Sequence, residues 1–240
     1  MPASPGWTPM SSHISARELL NKAEADARER QKAGKPVLLS PAPVHNAAKD
    51  ESTVYIFDAI GSWFGIDPKT WIPEFNAIKA RTIHLRINSS GGAVMDAQAM
   101  VTCIAQHPAK VVAHIDGLCA SAATGLALAC REVEMTDGAF FMIHNAWGCC
   151  AGSAEDMEQY AGLLRKCTGN IVASYRLKTG KPEKQIRDWM SKETWFTAEE
   201  AKAAGFIDRV FVPGGSTSND SGRSKRARAM AIAELSLEQI

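Results

Sequence analysis

The sequence predicts an α/β fold made of repeated strand and helix units, and three observations support this prediction. Apolar runs with the length of buried strands lie near residues 54–58, 82–87, 110–116 and 139–144. Helical patterns fall between these runs near residues 94–106 and 121–130. The chain has 240 residues, of which 45% are hydrophobic, so it is long enough to bury one large core. Such alternation is typical of a sheet covered by helices.

The first zone of the chain, residues 1–50, is expected to lie outside that core. It opens with a Pro/Ser-rich stretch and continues as a charged helical pattern over residues 15–32. This pattern has few apolar positions and therefore little surface to bury. Three prolines, Pro36, Pro41 and Pro43, close the zone. We interpret it as an N-terminal extension and a candidate pro-segment.

A glycine-rich turn follows the predicted strand at 82–87. Residues 87–92 read INSSGG, and a helical pattern begins at Val94. The adjacent glycines, Gly91 and Gly92, let backbone N–H groups turn toward a ligand with no Cβ in the way. Such a turn suits an oxyanion hole or an anion-binding nest, although Ser-Gly-Gly is a weak signal by itself.

Ser121 lies where a predicted strand gives way to a predicted helix. The run from Lys110 is expected to end at Gly117, with a short turn before the helix. Unpaired N–H groups at a helix N-terminus favour developing negative charge, which suits a nucleophile, and the Ala122 amide would be an oxyanion donor. A serine at such a place more often only caps its helix. Cys119, two residues earlier, is an alternative nucleophile.

His144 ends the apolar run at 139–144 and precedes a glycine-bearing turn. A serine and a histidine at the ends of two buried strands are the minimum pair for acyl transfer. A lone histidine after a strand is more often a hydrogen-bonded core or rim residue. Glu193, which lies beside apolar residues in the segment 192–201, offers a carboxylate that would hold the imidazole. The sequence therefore predicts a Ser-His-acid site.

A long helix is predicted between His144 and Glu193. Residues 153–156, SAED, have the pattern of a capping box, and apolar residues then recur at helical spacing as far as Leu177. A helix of some 25 residues is about 37 Å long and projects beyond a small domain. Its stripe either marks an association site or folds onto the chain's own core. The stripe consists of Met157, Tyr160, Ala161, Leu164, Ile171, Val172 and Tyr175.

The C-terminal part contains one more helix and strand and then a tail. Thr197 opens a second capping pattern, TAEE, and that helix is expected to stop at Gly205 before a strand at 206–211. From Pro213 the composition shifts to Gly, Ser, Asn and Asp and then to basic residues. We interpret residues 213–240 as a flexible basic tail, since a charge run is usually a solvated segment.

Composition argues against several classes of function. The net charge of +1 gives no electrostatic reason to expect nucleic acid or membrane as a partner. The apolar runs are too short to span a bilayer, and the N-terminus lacks a signal-peptide core. The six cysteines include no Cys-x-x-Cys, and phosphate-binding and His-Glu-x-x-His motifs are absent, so we expect no metal and no cofactor. Reduced cysteines and the lack of an export signal favour the cytoplasm.

Together these motifs resemble the Clp peptidase family of serine proteases, and more closely its phage-type members, the prohead proteases. The similar region runs from about Val54 to Val212. The resemblance implies the crotonase-like Clp protease fold, with repeated β-β-α units and a protruding handle helix, over residues 51–212. The motifs that carry it are residues 87–92 (INSSGG), 117–122 (GLCASA), 142–145 (MIHN), 175–180 (YRLKTG) and 194–208 (TWFTAEEAKAAGFID).

The resemblance also implies roles for individual residues. Ser121 becomes the nucleophile and His144 the general base, with the N–H groups of Gly92 and Ala122 as the oxyanion hole. Housekeeping Clp peptidases carry proline where this chain has the second serine of INSSGG, and aspartate where it has Glu193. Glutamate orients a histidine equally well, because only a buried acceptor is required. Asp188, five residues earlier, is the rival acid.

The function expected from these residues is a serine endopeptidase, and the resemblance favours a phage head maturation protease acting on capsid or scaffold proteins. Edge strands near Gly91 and Asn145 would hold a protein or peptide substrate extended. The resemblance implies a homo-oligomeric ring formed through the long helix, with an ATPase as a candidate partner. It places the protein in the host cell cytoplasm, or in the prohead if phage-encoded. The alternatives are a housekeeping ATP-dependent Clp subunit, a crotonase-fold acyl-CoA enzyme and a scaffold without catalysis.

Overall fold

The computed structural model describes residues 43–63 and 65–214. This part of the chain contains eight strands and six helices. The strands are β1 Val44–Asn46, β2 Glu51–Ile56, β3 Thr82–Ser89, β4 Lys110–Ala120, β5 Glu132–Thr136, β6 Phe140–Ile143, β7 Thr194–Thr197 and β8 Arg209–Phe211. The helices are α1 Pro68–Ala77, α2 Val94–Gln106, α3 Ala122–Ala129, α4 Ala154–Thr179, α5 Glu183–Ser191 and α6 Ala198–Ala204.

All eight strands belong to one sheet with a branch at β4. The main row has the order β1-β2-β3-β4-β5-β8, and its central strands β2 to β5 are parallel neighbours. Strand β6 runs parallel to the last part of β4, and β7 pairs antiparallel with β6. The carboxyl ends of β4 and β6 therefore lie side by side, and ligand sites in α/β sheets form at the carboxyl ends of strands.

Strand β3 shows why the sheet forms here. Ile83, Leu85 and Ile87 alternate with polar residues, and all three are fully buried in the main core. Because successive side chains in a strand point to opposite faces, this alternation directs one face toward the helices. Helix α3 packs against α2 and against β3 and β4 on that face. The predicted α/β architecture is confirmed, although the strands β1, β5 and β7 and the helices α1 and α5 were not predicted.

The other face of the sheet carries a row of ionisable side chains. His84 Nδ1 lies 2.9 Å from His114 Nε2, and His114 Nδ1 lies 2.9 Å from Glu134 Oε1. The Arg209 guanidinium donates to Glu134, and Glu51 lies 3.7 Å from the far nitrogen of His84. Burial and the neighbouring His114 hold the pKa of His84 below its ordinary value. We call these five residues the polar row.

Strand β4 is longer than the sequence predicts, and this corrects the expected turn at Gly117. The strand continues to Ala120, but its register against β3 shifts between Ile87 and Ser89. The Leu118 N–H donates to Asn88 Oδ1 at 3.1 Å, and a Cβ at Gly117 would lie 2.8 Å from that oxygen. Glycine thus marks a bulge inside the strand rather than its end.

Helix α4 confirms the predicted long helix, but its predicted apolar stripe is not buried in the first half of the helix and is largely buried in the second half. Ser153 and Asp156 form the expected capping box, and Gly180 ends the helix in a left-handed conformation. No residue from Ala154 to Lys166 is buried, so this half is open to solvent. In the second half Val172 and Tyr175 are buried in the main core, and Ile171 packs against it.

The apolar stripe of α4 is therefore not one continuous association surface. Expecting Tyr175 to contact another subunit was wrong, because it is buried in the chain's own core, while Ile171 packs against that core and is only partly buried. Met157 and Leu163 in the first half keep 51% and 45% of their surface exposed.

Contacts group the chain into a compact unit that ends at Val210 and a second unit from Phe211 onward, of which the structure describes only residues 211–214. Helix α6 ends at Gly205 as predicted, and β8 starts at Arg209, later than expected. The charged helical pattern at 15–32 and nearly all of the predicted basic tail lie outside the described residues. Within the described ranges, no helix is both long and apolar enough to cross a membrane.

Candidate active site

Ser121 occupies a sharp turn between β4 and α3. Its backbone has φ 53° and ψ −126°, a left-handed conformation that costs a non-glycine residue free energy. The Ser121 N–H donates to the Met142 carbonyl at 2.9 Å, which fixes the turn against β6. The side chain makes no capping hydrogen bond to its own helix. The alternative that Ser121 is only a helix cap therefore does not apply.

His144 follows β6 directly and faces Ser121. Its Nε2 lies 2.7 Å from Ser121 Oγ, which is hydrogen-bond distance for this pair. The imidazole is half-buried, and this burial holds the pKa of His144 below its ordinary value, while the nearby Glu193 carboxylate acts to raise it. At neutral pH the imidazole is accordingly uncharged and able to accept a proton.

The Glu193 position is set by the pairing of β6 with β7. Ile143 pairs with Thr194 in this antiparallel ladder, so the next residues outward on the two strands are His144 and Glu193. Glu193 has φ 50° and donates its N–H to the Met190 carbonyl at 3.3 Å. The Glu193 carboxylate is near enough to act on the pKa of His144, which it raises.

Asp188, the rival acid, is engaged elsewhere. Its Oδ2 accepts from Lys184 Nζ at 2.7 Å across one turn of α5, and this partner holds the pKa of Asp188 below its usual value. Asp188 is exposed. The carboxylate that acts to raise the pKa of His144 is that of Glu193.

The turn at Gly91 and Gly92 lies directly against the Ser121 turn. Gly91 has φ 90°, and a Cβ there would lie 2.6 Å from the Ala120 carbonyl oxygen and 2.8 Å from Ser121 Cβ. Only glycine permits this close approach. The Gly91 N–H and carbonyl are both used inside the protein, by Ser89 Oγ and by the Ile60 N–H.

The two predicted oxyanion donors, Gly92 and Ala122, directly follow the two residues in contact, Gly91 and Ser121. Gly92 pairs with Ile60 in a parallel bridge in which Gly91 and Ala93 make the hydrogen bonds. The Gly92 N–H is therefore turned away from Ile60. Ala122 is the first residue of α3, so its N–H belongs to the unpaired groups of the helix start. Asn145, next to His144, is exposed.

Three side chains that support the site were not predicted for it. Ser89 is buried and links the Asp58 carbonyl at 2.7 Å to the Gly91 N–H at 3.1 Å. Thr124 Oγ1 donates to the Ser121 carbonyl at 2.6 Å and lies 2.7 Å from the Tyr175 hydroxyl. Ser89 belongs to the INSSGG motif, so the sequence contained a signal for its role. The contact between Thr124 and Tyr175 joins residues 51 positions apart, and no local sequence pattern indicates it.

Cys119, the alternative nucleophile, is unsuited to that role. It is fully buried, and burial raises the pKa of its thiol far above the ordinary value. Since the thiolate is the reactive form, this thiol is inert at neutral pH.

A comparison with known sequences identifies the family. The model of the family described as Clp protease matches residues 75–214, more than half of the chain. The chain belongs to the Clp protease family. It is therefore a serine-type peptidase, and its strand and helix order is that of the Clp protease fold.

Relatives of this Clp protease chain agree with the assignment. It is 31% identical over 173 residues to the ATP-dependent Clp protease proteolytic subunit 1 of Protochlamydia amoebophila, covering 70% of this chain and 84% of that protein. Subunit 2 of Thermobifida fusca is 33% identical over 55% of this chain and 66% of its own length. The proteolytic subunit of Streptococcus pyogenes is 31% identical over 54% and 68%.

Proposed function

We propose that this Clp-type peptidase is an endopeptidase that uses Ser121, His144 and Glu193 as its catalytic triad. The observation that carries the proposal is the 2.7 Å contact between Ser121 Oγ and His144 Nε2 at a strained turn. A serine that only capped its helix would direct its hydroxyl to the backbone, and this one does not.

The reaction begins when the Ser121 hydroxyl donates its proton to His144 Nε2 and its oxygen attacks the peptide carbonyl. The lowered pKa of His144 keeps the imidazole neutral and ready to accept this proton. The imidazolium that forms is stabilised by Glu193, and it then protonates the leaving amine. Water, deprotonated by the same histidine, hydrolyses the acyl-enzyme.

Backbone amides stabilise the charge that develops on the substrate oxygen. The Gly92 N–H is turned away from Ile60 and the Ala122 N–H lies at the start of α3, which supports their role as oxyanion donors. The fixed contact of Gly91 with the Ser121 turn holds the two donors in place. Preorganised donors of this kind lower the barrier because they need not reorient during the reaction.

The substrate is held extended along Asn145 and the glycine turn. Strand addition reads the backbone of a peptide more than its side chains, which suits an endopeptidase of broad specificity. Both polar backbone groups of Gly91 already have partners in the protein, so the contact on that side comes from Gly92.

Replacing the nucleophile tests the proposal. Ser121→Ala is expected to abolish labelling by a fluorophosphonate probe and to lower peptide cleavage by roughly 10³- to 10⁶-fold. Ser174→Ala is the matched control, because Ser174 lies exposed on α4 and bonds only within its helix. Labelling that persists in Ser121→Ala would refute the assignment.

Assembly into a homo-oligomeric ring forms part of the proposal. The exposed first half of α4, with Met157 and Leu163, offers apolar surface for a second copy. An ATPase partner that feeds unfolded substrate is supported by the relatives, which are named as proteolytic subunits of ATP-dependent proteases.

The finer role of phage head maturation protease rests on the resemblance of motifs such as INSSGG. Co-expression with a capsid or scaffold protein distinguishes a maturation protease from a subunit that works with an ATPase. A maturation protease cleaves the capsid or scaffold protein without ATP. A subunit that receives its substrate from an ATPase degrades folded protein only when that partner is present. A cytoplasmic site of action is supported by six cysteines that are all free thiols.

A further inference from the structure

Two adjacent cysteines, Cys149 and Cys150, lie outside the proposed triad and are exposed to solvent. They belong to the connecting segment, residues 145–153, which joins His144 to α4 without helix or strand. The other four cysteines are buried, and burial raises the pKa of Cys103, Cys119 and Cys130. Because accessible thiolates react fastest, the thiol chemistry of this chain is concentrated in the adjacent pair.

The connecting segment is fixed to helix α4 just before the two cysteines. The Ala146 N–H donates to Thr168 Oγ1 at 3.1 Å. Gly148 lies so close to Tyr160 that a Cβ at this glycine would be 1.9 Å from the phenolic oxygen. A backbone change at Cys149 therefore acts directly on this contact and, through it, on the residues that follow His144.

A disulfide between neighbouring residues is strained by geometry. Consecutive Cα atoms are about 3.8 Å apart, whereas the Cα atoms of ordinary disulfides are about 4.4–6.8 Å apart. Closing the bond forces the backbone to distort, and the strain makes the bond easy to reduce. Labile disulfides of this kind serve as reversible switches in reducing compartments.

We propose that Cys149 and Cys150 form a redox-sensitive dithiol whose oxidation to a vicinal disulfide by a glutathione-type disulfide reversibly lowers peptidase activity. One cysteine thiolate attacks a sulfur of the oxidant, whose S–S bond breaks and releases one reduced thiol. The neighbouring cysteine then loses its proton, attacks the mixed disulfide and displaces the second thiol. Two electrons pass from the two cysteines to the oxidant, which ends as two reduced thiols.

Oxidation lowers activity because the strained ring pulls on the segment that carries Asn145 and adjoins His144. Gly148 lies against the Tyr160 hydroxyl, and the Ala146 N–H is bonded to Thr168, so a distortion at Cys149 disturbs both contacts with α4 and passes along the chain toward Asn145. This part of the proposal rests on the proposed function of His144 and Asn145.

The test uses the full-length protein in glutathione buffers of rising oxidised fraction, with intact mass and peptide cleavage measured together. The mass is expected to fall by two hydrogen atoms as cleavage falls, and dithiothreitol restores both. Cys149→Ser and Cys150→Ser alone are expected to gain one glutathione without closing a ring. In the double variant both mass and activity stay constant in every buffer.

Three results would overturn the proposal: an unchanged mass in oxidising buffer, only cross-links between chains, or full activity in the oxidised protein. A reduced protein with no peptidase activity refutes the proposed function instead. In that event the mass change and the fluorescence of Trp147, identified by its loss in Trp147→Phe, still test the dithiol. An unchanged Trp147 signal on oxidation would then refute it.

Discussion

Backbone strain in this molecule gathers at the proposed site. Of the three non-glycine residues with positive φ in the described ranges, two are Ser121 and Glu193, and the third is Asp50. Such conformations persist only where the surroundings enforce them, and they cluster at functional sites. Here the Met142 carbonyl holds Ser121, and the Met190 carbonyl holds Glu193. Ser121 Oγ lies 2.7 Å from the His144 imidazole, and the Glu193 carboxylate acts on the pKa of the same imidazole.

The acid of the triad is tested by Glu193→Gln, which keeps the size of the side chain and removes its charge. We expect kcat/KM to fall by roughly 10²- to 10⁴-fold, because the imidazolium loses its stabilising partner. The carboxylate acts to raise the pKa of His144, so its loss lowers that pKa further. The acidic limb of the pH–rate profile, which reports the pKa of His144, is therefore expected to move to lower pH than in the native protein.

Asp188→Asn is the matched control for that variant. Its carboxylate is bonded to Lys184 on the surface, so both the rate and the pH profile should stay close to those of the native protein. A larger loss in Asp188→Asn than in Glu193→Gln would transfer the role to Asp188.

Gly91→Ala tests the close approach of the two turns. The added Cβ would lie 2.6 Å from the Ala120 carbonyl oxygen, and the φ of 90° is strained for alanine. We expect a loss of about 1–3 kcal/mol in the free energy of unfolding and a sharp loss of activity. Thermal unfolding and peptide cleavage measure the two effects.

Gly162→Ala serves as the control for the glycine change. Gly162 lies within α4 with open space around it, so alanine should stabilise the protein by roughly 0.5–1 kcal/mol. Equal effects of the two substitutions would show that Gly91 is not special.

Helices and strands were predicted most accurately from the sequence where a local pattern of residues determines the element. The alternation in β3 and the capping boxes at Ser153 and Thr197 depend on residues a few positions apart, and the structure confirms these elements. The end of β4 was misplaced because a glycine looks the same at a bulge and at a strand end. Asn88, a strand away, decides between them.

The candidate site was predictable for the same reason, and only in part. Ser121 and His144 each follow an apolar run, and the structure brings them together. The approach of Glu193 depends on the β6–β7 register, which no local pattern encodes. Tyr175 was assigned to an association surface because helical spacing identifies the apolar face of a helix but does not show what that face packs against. Its burial against the core follows from contacts far away along the chain.

Leu163→Glu tests the exposed half of α4 as an association surface. Leu163 is 45% exposed, so a charge there should leave the fold intact while it opposes apolar contact with a second copy. We expect the oligomer to dissociate and peptide cleavage to fall with it, as light scattering and a peptide assay would show.

Leu177→Glu is the control on the same helix. Leu177 is 90% exposed and lies in the half whose buried side packs on the core. The charge should change neither assembly nor activity. A Leu163→Glu protein that is monomeric and fully active would show that the helix serves packing alone.

At the scale of the whole molecule, three histidines within residues 43–63 and 65–214 are expected to make the fold sensitive to acid. Burial is the main cause that lowers the pKa of His84, His107 and His144 below their ordinary value. Below about pH 6.5 these three histidines bind more protons in the unfolded chain than in the folded chain. Stability should therefore fall as the pH drops from about 6.5 through the lowered values, and should not change from this cause above 6.5.

Thermal unfolding measured between about pH 5 and 8 tests this expectation. His84→Gln removes one titrating ring from the polar row and should flatten the dependence, since His114 and Glu134 stay in place. A midpoint that is constant or rises on acidification would contradict a lowered pKa for these three histidines.

Hydrogen bonds connect Tyr175 on α4, through Thr124, to the carbonyl of Ser121. Through them, an association of subunits along α4 can be coupled to the binding of a group at Ser121. Coupling between two binding events is reciprocal, so each must change the other's equilibrium constant by the same factor. If subunit contact along α4 alters the readiness of Ser121, then a group bonded to Ser121 alters the affinity between subunits. A covalent inhibitor would in that case act as an assembly ligand, and sedimentation of labelled and unlabelled protein would reveal it.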